Sequence, residues 1–261
     1  MFSDLSINDI KANLTGEMGR EIFFYETVGS TNALAAEISE KTVEGTVVIA
    51  DSQQSGRGRL GRTWVSPPGV NIYMSIIIKP AIPPDDATLL TLMTAIACAT
   101  ALRKATGLDV SIKWPNDLVV SDKKLGGILT ELKIERKILS AVIGIGINVN
   151  ADMDVFPEEV RGVATSLKNE TGITYPRARI ISEILNEMDI WYRTLKNSGG
   201  KKILSEWKLL TSTLGKQVMV TVGQETFRGV AESVDDKGML VLRLDSGEPK
   251  RISAGDLTVL R

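Results

Sequence analysis

Three arginines alternate with three glycines in residues 56–62, directly after an apolar, β-branched run that is typical of a buried strand. Glycine lets the backbone approach closely and adopt positive φ, so that amide N–H groups can surround an anion. Arginine adds planar, permanently charged donors that suit carboxylate and phosphate groups. The segment therefore predicts an anion-binding loop. A flexible basic surface loop and a short arginine–glycine RNA-binding tract are the alternatives, and the single occurrence argues against the tract.

Three later segments also combine charged or amide side chains with turn residues. Residues 113–118 join a lysine, a tryptophan, a Pro-Asn turn and an aspartate, although a solvated turn between strands is an equal alternative. Residues 123–129 bring two lysines to a glycine pair, which would equally suit a basic hairpin turn. Residues 144–150 form a glycine-punctuated apolar strand that ends in amides, without the full Gly-x-Gly-x-x-Gly fingerprint of a dinucleotide site.

The composition excludes several kinds of chemistry. The 261 residues include no histidine, which removes Ser-His-Asp and Cys-His catalysis and histidine-based metal sites. A formal net charge of -1 gives no global positive field for nucleic acid, so any basic site must be local. The one cysteine, Cys98, lies in an apolar run and is predicted to be buried in a protein of a reducing compartment. No signal peptide is evident, and the apolar stretch over residues 89–102 is too short to span a bilayer, so we predict a soluble, cytoplasmic protein.

The elements that must position these segments are strands and helices in mixed order. Short apolar runs predict strands over residues 22–25, 46–50, 71–78, 128–134 and 138–147, with two more flanking residues 113–117. Helices are predicted over residues 33–38, with Ser30 or Thr31 as the N-cap, from Pro84 to about residue 105, from Pro176, and over residues 203–210. Beyond Gly215, closely spaced runs at residues 218–222, 226–230, 239–242 and 257–260 predict a small all-β barrel.

In their order along the chain, these segments resemble the catalytic core of biotin protein ligase. The order is Ser30-Thr31-Asn32, Gln53, Gly-Arg-Gly-Arg-x-Gly-Arg-x-Trp at 56–64, Lys-Trp-Pro-Asn-Asp-Leu at 113–118, Lys-Leu-Gly-Gly-Ile-Leu at 124–129 and Gly-Ile-Gly-Ile-Asn at 144–148. The closing strands resemble the C-terminal barrel of that family, so the resemblance runs from about residue 20 onward. Some members carry an N-terminal winged helix-turn-helix, for which the residues before this core leave no room. The resemblance therefore implies a monofunctional ligase without DNA binding or repressor activity.

The resemblance implies an α+β fold with a mixed β-sheet flanked by helices, the class II synthetase-like core shared by biotin and lipoate ligases. It implies a catalytic domain over residues 1–211 and a small C-terminal all-β barrel over residues 212–261. It also implies a reaction in two steps. Biotin first reacts with MgATP to give biotinyl-5'-AMP and pyrophosphate. A lysine of a biotin carboxyl carrier protein then takes the biotinyl group and releases AMP.

The resemblance further implies a role for each matching residue. The implied biotin-binding residues are Ser30, Thr31, Asn32, Gln53, Gly56, Arg57, Gly58, Arg59, Lys124 and Gly127. The implied ATP- or adenylate-binding residues are Arg57, Arg59, Arg62, Trp64, Lys113, Asn116, Asp117, Lys124 and Asn148. The implied catalytic residues are Lys124, Arg57, Asp117 and Lys113. Ligands of Mg²⁺ stay unassigned.

Three rival functions remain open at this point. A lipoate or octanoate protein ligase would share the core but not the arginine-rich segment. A non-catalytic biotin-binding regulator would not need Lys113, Asp117 and Lys124 together. A nucleic-acid-binding protein would use residues 57–62. We also expect residues 56–62 to be mobile without ligand, because Arg57, Arg59, Arg62 and Lys113 would repel one another. A homodimer is compatible with the resemblance, with residues 71–78 as either an edge or a central strand.

Overall fold

The computed structural model describes residues 5–135 and 138–260 and arranges them in two β-sheets, the first of which is covered by helices. The strands of the first sheet are β1 (Ile22–Val28), β2 (Val47–Gln53), β3 (Ile72–Ile78), β4 (Ser111–Lys113), β5 (Asp117–Val120), β6 (Lys123–Glu135) and β7 (Ile138–Ile147). They lie side by side in the order β1-β2-β3-β7-β6-β5-β4. Only the β1–β2 pair is parallel among the described pairs, which confirms the predicted mixed sheet.

Strand β3 lies in the middle of this sheet. It pairs with β2 on one side and with β7 on the other, and all seven of its residues are buried. A nearly continuous apolar run is what a strand with both faces covered requires. The alternative that residues 71–78 form an edge strand is therefore wrong, and the edges of the sheet are β1 and β4.

The helices are α1 (Ile7–Ala12), α2 (Thr31–Ile38), α3 (Thr88–Thr106), α4 (Glu158–Arg161), α5 (Leu167–Thr171), α6 (Arg177–Ser198) and α7 (Gly200–Leu210). Helix α3 packs against α6 and α7, and it is followed by Gly107, whose φ of 74° suits a left-handed cap. Within the described residues, one helical stretch, Pro84–Thr106, passes a length-and-composition test for crossing a membrane, but 72% of its most apolar window is buried in the protein. It is a core helix, and burial raises the pKa of its Cys98 thiol.

The second sheet is antiparallel and contains the C-terminal strands. They are β8 (Gln217–Val222), β9 (Glu225–Val234), β10 (Leu240–Leu244), β11 (Pro249–Ile252) and β12 (Asp256–Val259), in the order β11-β10-β9-β8-β12. The predicted all-β segment is confirmed. Strand β11 escaped prediction because its residues are mostly charged or exposed.

Hydrogen bonds connect the segment before β8 to the first sheet. The Ser212 N–H donates to the Ile112 carbonyl at 2.9 Å, and the Trp114 N–H donates to Thr213 Oγ1 at 2.9 Å. The C-terminal sheet is thus tied beside β4 and the turn that follows it. A domain boundary between residues 211 and 212 remains a prediction.

Candidate functional site

Nearly all residues predicted for the site surround one cavity of roughly 270 Å³. It lies between the first sheet, the C-terminal sheet and the arginine loop, our name for residues 56–62. The predicted residues in its wall are Ser30, Thr31, Asn32, Gln53, Arg57, Gly58, Arg59, Arg62, Trp64, Lys113, Asn116, Asp117, Lys124, Gly127 and Asn148. The fold therefore brings together segments that are more than a hundred residues apart in sequence.

Gly56 is the predicted residue that lies behind the wall. Its carbonyl accepts a hydrogen bond from the Trp64 N–H at 2.9 Å, which closes the base of the arginine loop. A Cβ built on Gly56 would come within 2.3 Å of the Trp64 carbonyl oxygen and 2.7 Å of Ser66 Oγ. Glycine is required here for close packing of the loop, and its predicted contact with biotin has no support from this placement.

Two alternate glycines of β7 form part of the cavity floor. Gly144 and Gly146 share one face of the strand, while the isoleucines between and beside them point into the core. A Cβ on Gly146 would meet Trp64 Cε2 at 2.6 Å, and a Cβ on Gly144 would meet Asn32 Oδ1 at 2.2 Å. The Gly-Ile-Gly-Ile pattern therefore makes room for an indole and an amide to lie flat against the sheet.

At the polar end of the cavity, Gln53 holds the start of α2. Its Oε1 accepts from the Thr31 N–H at 2.9 Å and lies 3.2 Å from the Thr31 hydroxyl, while its Nε2 donates to Ser66 Oγ at 2.9 Å. Ser30 is the N-cap residue of α2 by backbone conformation, but its side chain makes no capping hydrogen bond within residues 5–135 and 138–260. Ser30 lies in the cavity wall, whereas both ends of the Gln53 amide are occupied within the protein.

Asn32 is likewise engaged by its neighbours. Its Nδ2 donates to the Leu129 carbonyl at 3.2 Å and to Glu131 Oε2 at 2.8 Å, and its Oδ1 accepts from Ser75 Oγ at 2.6 Å. The residue is only 3% exposed. The structure thus places Asn32 in the wall with both ends of its amide satisfied.

Lys124 and Asp117 form an ion pair at the charged end of the cavity, with Nζ 2.7 Å from Oδ1. The backbone of Lys124 is fixed on its other side, because its N–H donates to the Val163 carbonyl and its carbonyl accepts from the Thr165 N–H. The ammonium also lies 5.5 Å from the centroid of the Trp64 ring, within cation–π range. Lys124 is therefore a positioned cation that remains 37% exposed toward the cavity.

Asn116 anchors the loop arginine Arg59 to the turn between β4 and β5. The Asn116 Nδ2 donates to the Ile128 carbonyl at 2.7 Å, and its Oδ1 accepts from Arg59 Nη1 at 3.0 Å. Arg59 also reaches the Gly255 carbonyl at 3.4 Å. Partial burial lowers the pKa of the Arg59 guanidinium, although Asp117 opposes this effect. The group stays charged because an arginine pKa starts well above neutrality.

The other two loop arginines face carboxylates. Arg62 forms a two-pronged ion pair with Asp256, in which Nη1 lies 3.2 Å from Oδ1 and Nη2 bonds to Oδ2. This hydrogen bonding raises the pKa of Arg62 and lowers that of Asp256. Arg57 Nη1 lies 3.8 Å from Glu131 Oε1. The expected repulsion among the loop cations is therefore offset by nearby acceptors, and the predicted mobility of the loop stays a prediction.

Two parts of the wall contain no residue that was predicted from the sequence. One is the segment after β7, which contributes Phe156, Val160, Val163 and Ala164; the other is the start of β12 together with the residue before it, which contributes Gly255, Asp256 and Leu257. The first segment is held by Asn148, whose Nδ2 donates to the Thr165 carbonyl at 3.0 Å. Neither part carries a recognisable motif, so only the packing of the chain reveals them. The described residues contain no cluster of three or more acidic, histidine or cysteine side chains placed to hold a metal ion.

Two family models match the chain in the regions that form this site. Residues 24–148 match the biotin/lipoate A/B protein ligase family, and residues 213–257 match the biotin protein ligase C-terminal domain. Together with the mixed sheet and its cavity, these matches define the broad class of the protein.

Individual relatives narrow that class. A bifunctional ligase/repressor BirA of Bacillus spizizenii is 38% identical over 253 residues, which cover 96% of this chain and 78% of the relative. A biotin–[acetyl-CoA-carboxylase] ligase of Mycobacterium tuberculosis is 32% identical, covering 94% of this chain and 91% of the relative. The solved biotin protein ligase of Aquifex aeolicus in complex with biotin and ATP superposes with a TM-score of 0.79 at 29% identity, covering 93% and 99% of the two chains. The chain belongs to the biotin protein ligase family.

Proposed function

We propose that this protein is an ATP-dependent biotin protein ligase, which converts biotin to biotinyl-5'-AMP and transfers the biotinyl group to a lysine of a biotin carboxyl carrier protein. The observation that carries the proposal is the division of one cavity into two ends. The end at α2 offers neutral hydroxyl groups, and the other end offers Lys124 and the loop arginines. A molecule with a neutral ring system and a carboxylate fits this division.

The neutral end suits the ureido ring of biotin. Ser30 presents a hydroxyl that can donate to a urea carbonyl or accept from a urea N–H, and Thr31, whose hydroxyl donates to Gln53 Oε1, can accept from a urea N–H. Gln53 holds Thr31 directly, and Asn32 is linked to Thr31 through the Ser75 hydroxyl, which contacts both residues. In this proposal the two amides support the ring site, and the hydroxyls contact the ligand.

In the first step, a biotin carboxylate oxygen attacks the α-phosphorus of ATP, and the bond to pyrophosphate breaks. Negative charge accumulates on the phosphoryl oxygens during this displacement. Lys124, Arg57 and Arg59 supply positive charge where it develops, and Lys113 contacts the nucleotide phosphates. Lys124 exchanges its Asp117 partner for the phosphate when the nucleotide binds, which frees the Asp117 carboxylate for the second step.

In the second step, a lysine amine of the carrier attacks the acyl carbon of the mixed anhydride. The acyl C–O bond breaks, AMP leaves with the electron pair, and the amine loses a proton to Asp117. Trp64 and Asn148 hold the adenylate between the two steps. Both nucleophiles belong to substrates, which agrees with a chain that has no histidine and a buried cysteine.

Mg²⁺ enters this proposal with the nucleotide. The donor set fits a metal held mainly by phosphate oxygens and water, because the described residues offer no acidic cluster and Mg²⁺ commonly keeps such ligands. Its contribution when bound is to neutralise phosphate charge. The chemistry needs neither DNA nor a membrane, and we place it in the cytoplasm, where ATP and carrier proteins meet. The homodimer and the division at residue 211 are also proposals, which mass measurement in solution and expression of residues 1–211 would test.

Incubation of the purified protein with ATP, Mg²⁺, labelled biotin and a biotin carrier domain tests the function. We expect covalent label on the carrier domain, and no label when ATP is omitted or when the acceptor lysine is replaced by arginine. Lipoate and octanoate with a lipoyl domain form the second arm. Labelling in that arm alone would overturn the proposal in favour of a lipoate or octanoate ligase, and binding of biotin without label in either arm would indicate a regulator.

A further inference from the structure

Glu131 is an acidic residue beside the cavity that has no role in the chemistry proposed above. It lies on β6, two residues beyond Leu129 on the same face of the strand. Its two carboxylate oxygens have different neighbours. Oε2 accepts from Asn32 Nδ2 at 2.8 Å, and Oε1 lies 3.8 Å from Arg57 Nη1. One side chain therefore touches both the α2 end of the site and the arginine loop.

The contact with Asn32 continues into the buried polar end of the cavity. Ser75 Oγ donates to Asn32 Oδ1 at 2.6 Å and lies 2.8 Å from Thr31 Oγ1. Ser75 is fully buried, and Thr31 and Asn32 are 4% and 3% exposed. A continuous row of polar contacts thus runs from the Thr31 hydroxyl through Ser75 and Asn32 to Glu131.

The contact with Arg57 is of a different kind. Both side chains of this pair are substantially exposed, at 56% and 40%, and such pairs add little to stability. Asn32 needs only a neutral oxygen as its acceptor, which an amide would supply. The negative charge of Glu131 is therefore not required by Asn32, and its evident electrostatic partner is the guanidinium of Arg57.

We propose that Glu131 is a positioning residue that links occupancy of the polar end of the cavity to the placement of Arg57. A ring seated against Thr31 contacts one end of this row of polar contacts, and the Glu131 carboxylate forms the other end. The carboxylate then holds the Arg57 guanidinium over the cavity, where the loop retains the adenylate. This inference deepens the proposed function and rests on it.

The test compares two substitutions at the same position. Glu131→Gln keeps an acceptor for Asn32 but removes the charge, so biotin affinity should stay within about twofold, while dissociation of biotinyl-5'-AMP should speed up by about two- to fivefold. Glu131→Ala removes both contacts, so biotin affinity should also fall, by about tenfold. Biotin affinity is measured by calorimetry, and adenylate release by a chase with unlabelled adenylate. Unchanged thermal midpoints would separate positioning from misfolding.

A matched control and a double variant make the test specific to Arg57. Glu40 forms an ion pair with Lys133, which lies on β6 two residues beyond Glu131. Glu40 itself lies outside the cavity wall. Glu40→Gln should leave both measurements at the wild-type values. In the Arg57→Ala background, Glu131→Gln should produce no further acceleration of adenylate release, because the partner of the charge is already absent.

Three results would overturn the inference. Wild-type adenylate release by Glu131→Gln, in a wild-type protein that does biotinylate a carrier, would overturn the role of Glu131 and leave the proposed function standing. Additive effects of Glu131→Gln and Arg57→Ala would show that the carboxylate acts through another group. A wild-type protein that forms no biotinyl-5'-AMP would overturn the proposed function and this inference together.

Discussion

The indole of Trp64 lies against the backbone of Gly146, so closely that a Cβ on that glycine would come within 2.6 Å of Trp64 Cε2. Gly146 pairs with Gly127 on the neighbouring strand, and a Cβ on Gly127 would also touch the ring, at 3.4 Å. The two strands thus present a flat patch of backbone on which the indole rests. Lys124 also approaches this ring, with its ammonium 5.5 Å from the ring centroid.

Gly146→Ala should therefore displace Trp64. The new methyl group overlaps the ring, so we expect a loss of about 1–3 kcal/mol in the free energy of unfolding and faster release of biotinyl-5'-AMP. Denaturant unfolding and an adenylate chase measure the two effects. Gly162→Ala is the matched control, because a Cβ there meets no atom within 4 Å. If the two variants had equal unfolding free energies and equal rates of adenylate release, the position of Trp64 would not depend on Gly146.

Lys124→Ala should impair formation of the adenylate. A unit charge about 4 Å from a phosphate oxygen contributes roughly 4 kcal/mol at an effective dielectric near 20. Since every 1.36 kcal/mol changes a rate tenfold, the substitution should slow adenylation by about two to three orders of magnitude. Pyrophosphate release is the measurement, and Lys123→Ala, which alters the exposed neighbouring lysine, is the control. Pyrophosphate release at a near-normal rate would remove Lys124 from the catalytic residues.

Asp256→Asn should loosen the arginine loop without unfolding the protein. The pair with Arg62 is largely exposed, so its direct contribution to stability should be only about 0.2–1 kcal/mol. Adenylate release should nevertheless accelerate, because Arg62 loses the partner that ties the loop to the C-terminal sheet. Glu232→Gln, which alters an ion pair on that sheet away from the cavity, should leave release unchanged. If adenylate release accelerated equally in Asp256→Asn and Glu232→Gln, the cause would be a general loosening of the C-terminal sheet.

The Asp256 carboxylate also predicts a pH dependence. Hydrogen bonding from Arg62 holds its pKa below the ordinary value of 3.8. A carboxyl whose pKa is lowered by folding stabilises the protein above its unfolded-state pKa, and that contribution is lost as the pH falls through the lower, folded-state value. The difference in unfolding free energy between wild type and Asp256→Asn should therefore be constant at neutral pH and shrink progressively below about pH 4. A difference that grew on acidification would contradict this assignment.

Arg57→Ala should act mainly on retention of the adenylate. Its guanidinium lies at the cavity wall, 3.8 Å from Glu131 Oε1, and its side chain is 56% exposed, so it can also face a substrate anion. We expect faster dissociation of biotinyl-5'-AMP and less protection of the arginine loop from trypsin when biotin is added. Cleavage at Arg59 and Arg62, followed by mass spectrometry, reports the protection. Unchanged dissociation together with unchanged protection would exclude this role.

Much of the site could be predicted because its chemistry is concentrated in short segments of unusual composition. The arginine loop, the turn at residues 113–118 and the glycines of β7 each combine residue types that have few other uses together. The resemblance predicted that these segments meet at one site. The direction of the side chains along the strands explains this meeting physically. Alternation along β7 points Gly144 and Gly146 into the cavity and their isoleucine neighbours into the core.

The remaining features depend on contacts between distant parts of the chain. Nothing near Asp256 in sequence distinguishes it from other surface acids, and its importance arises from meeting Arg62, 194 residues earlier. The contact of Gln53 and Asn32 with biotin stays a prediction, and in this structure their amides are engaged by Thr31, Ser66 and other neighbours. Hydrogen-bonding residues can serve a ligand or the protein, and only the folded arrangement of partners decides between them.

The contribution of β12 to the cavity has a consequence for biosynthesis. Residues 255–257 are the last part of the cavity wall to emerge from the ribosome, whereas β1 to β7 are available far earlier. Because domains fold from the N-terminus as they are made, a nascent chain can complete its first sheet while Arg62 still lacks its carboxylate partner. Capture of a reactive acyl-adenylate thus becomes secure only after residues 255–257 have been made and have joined the cavity wall.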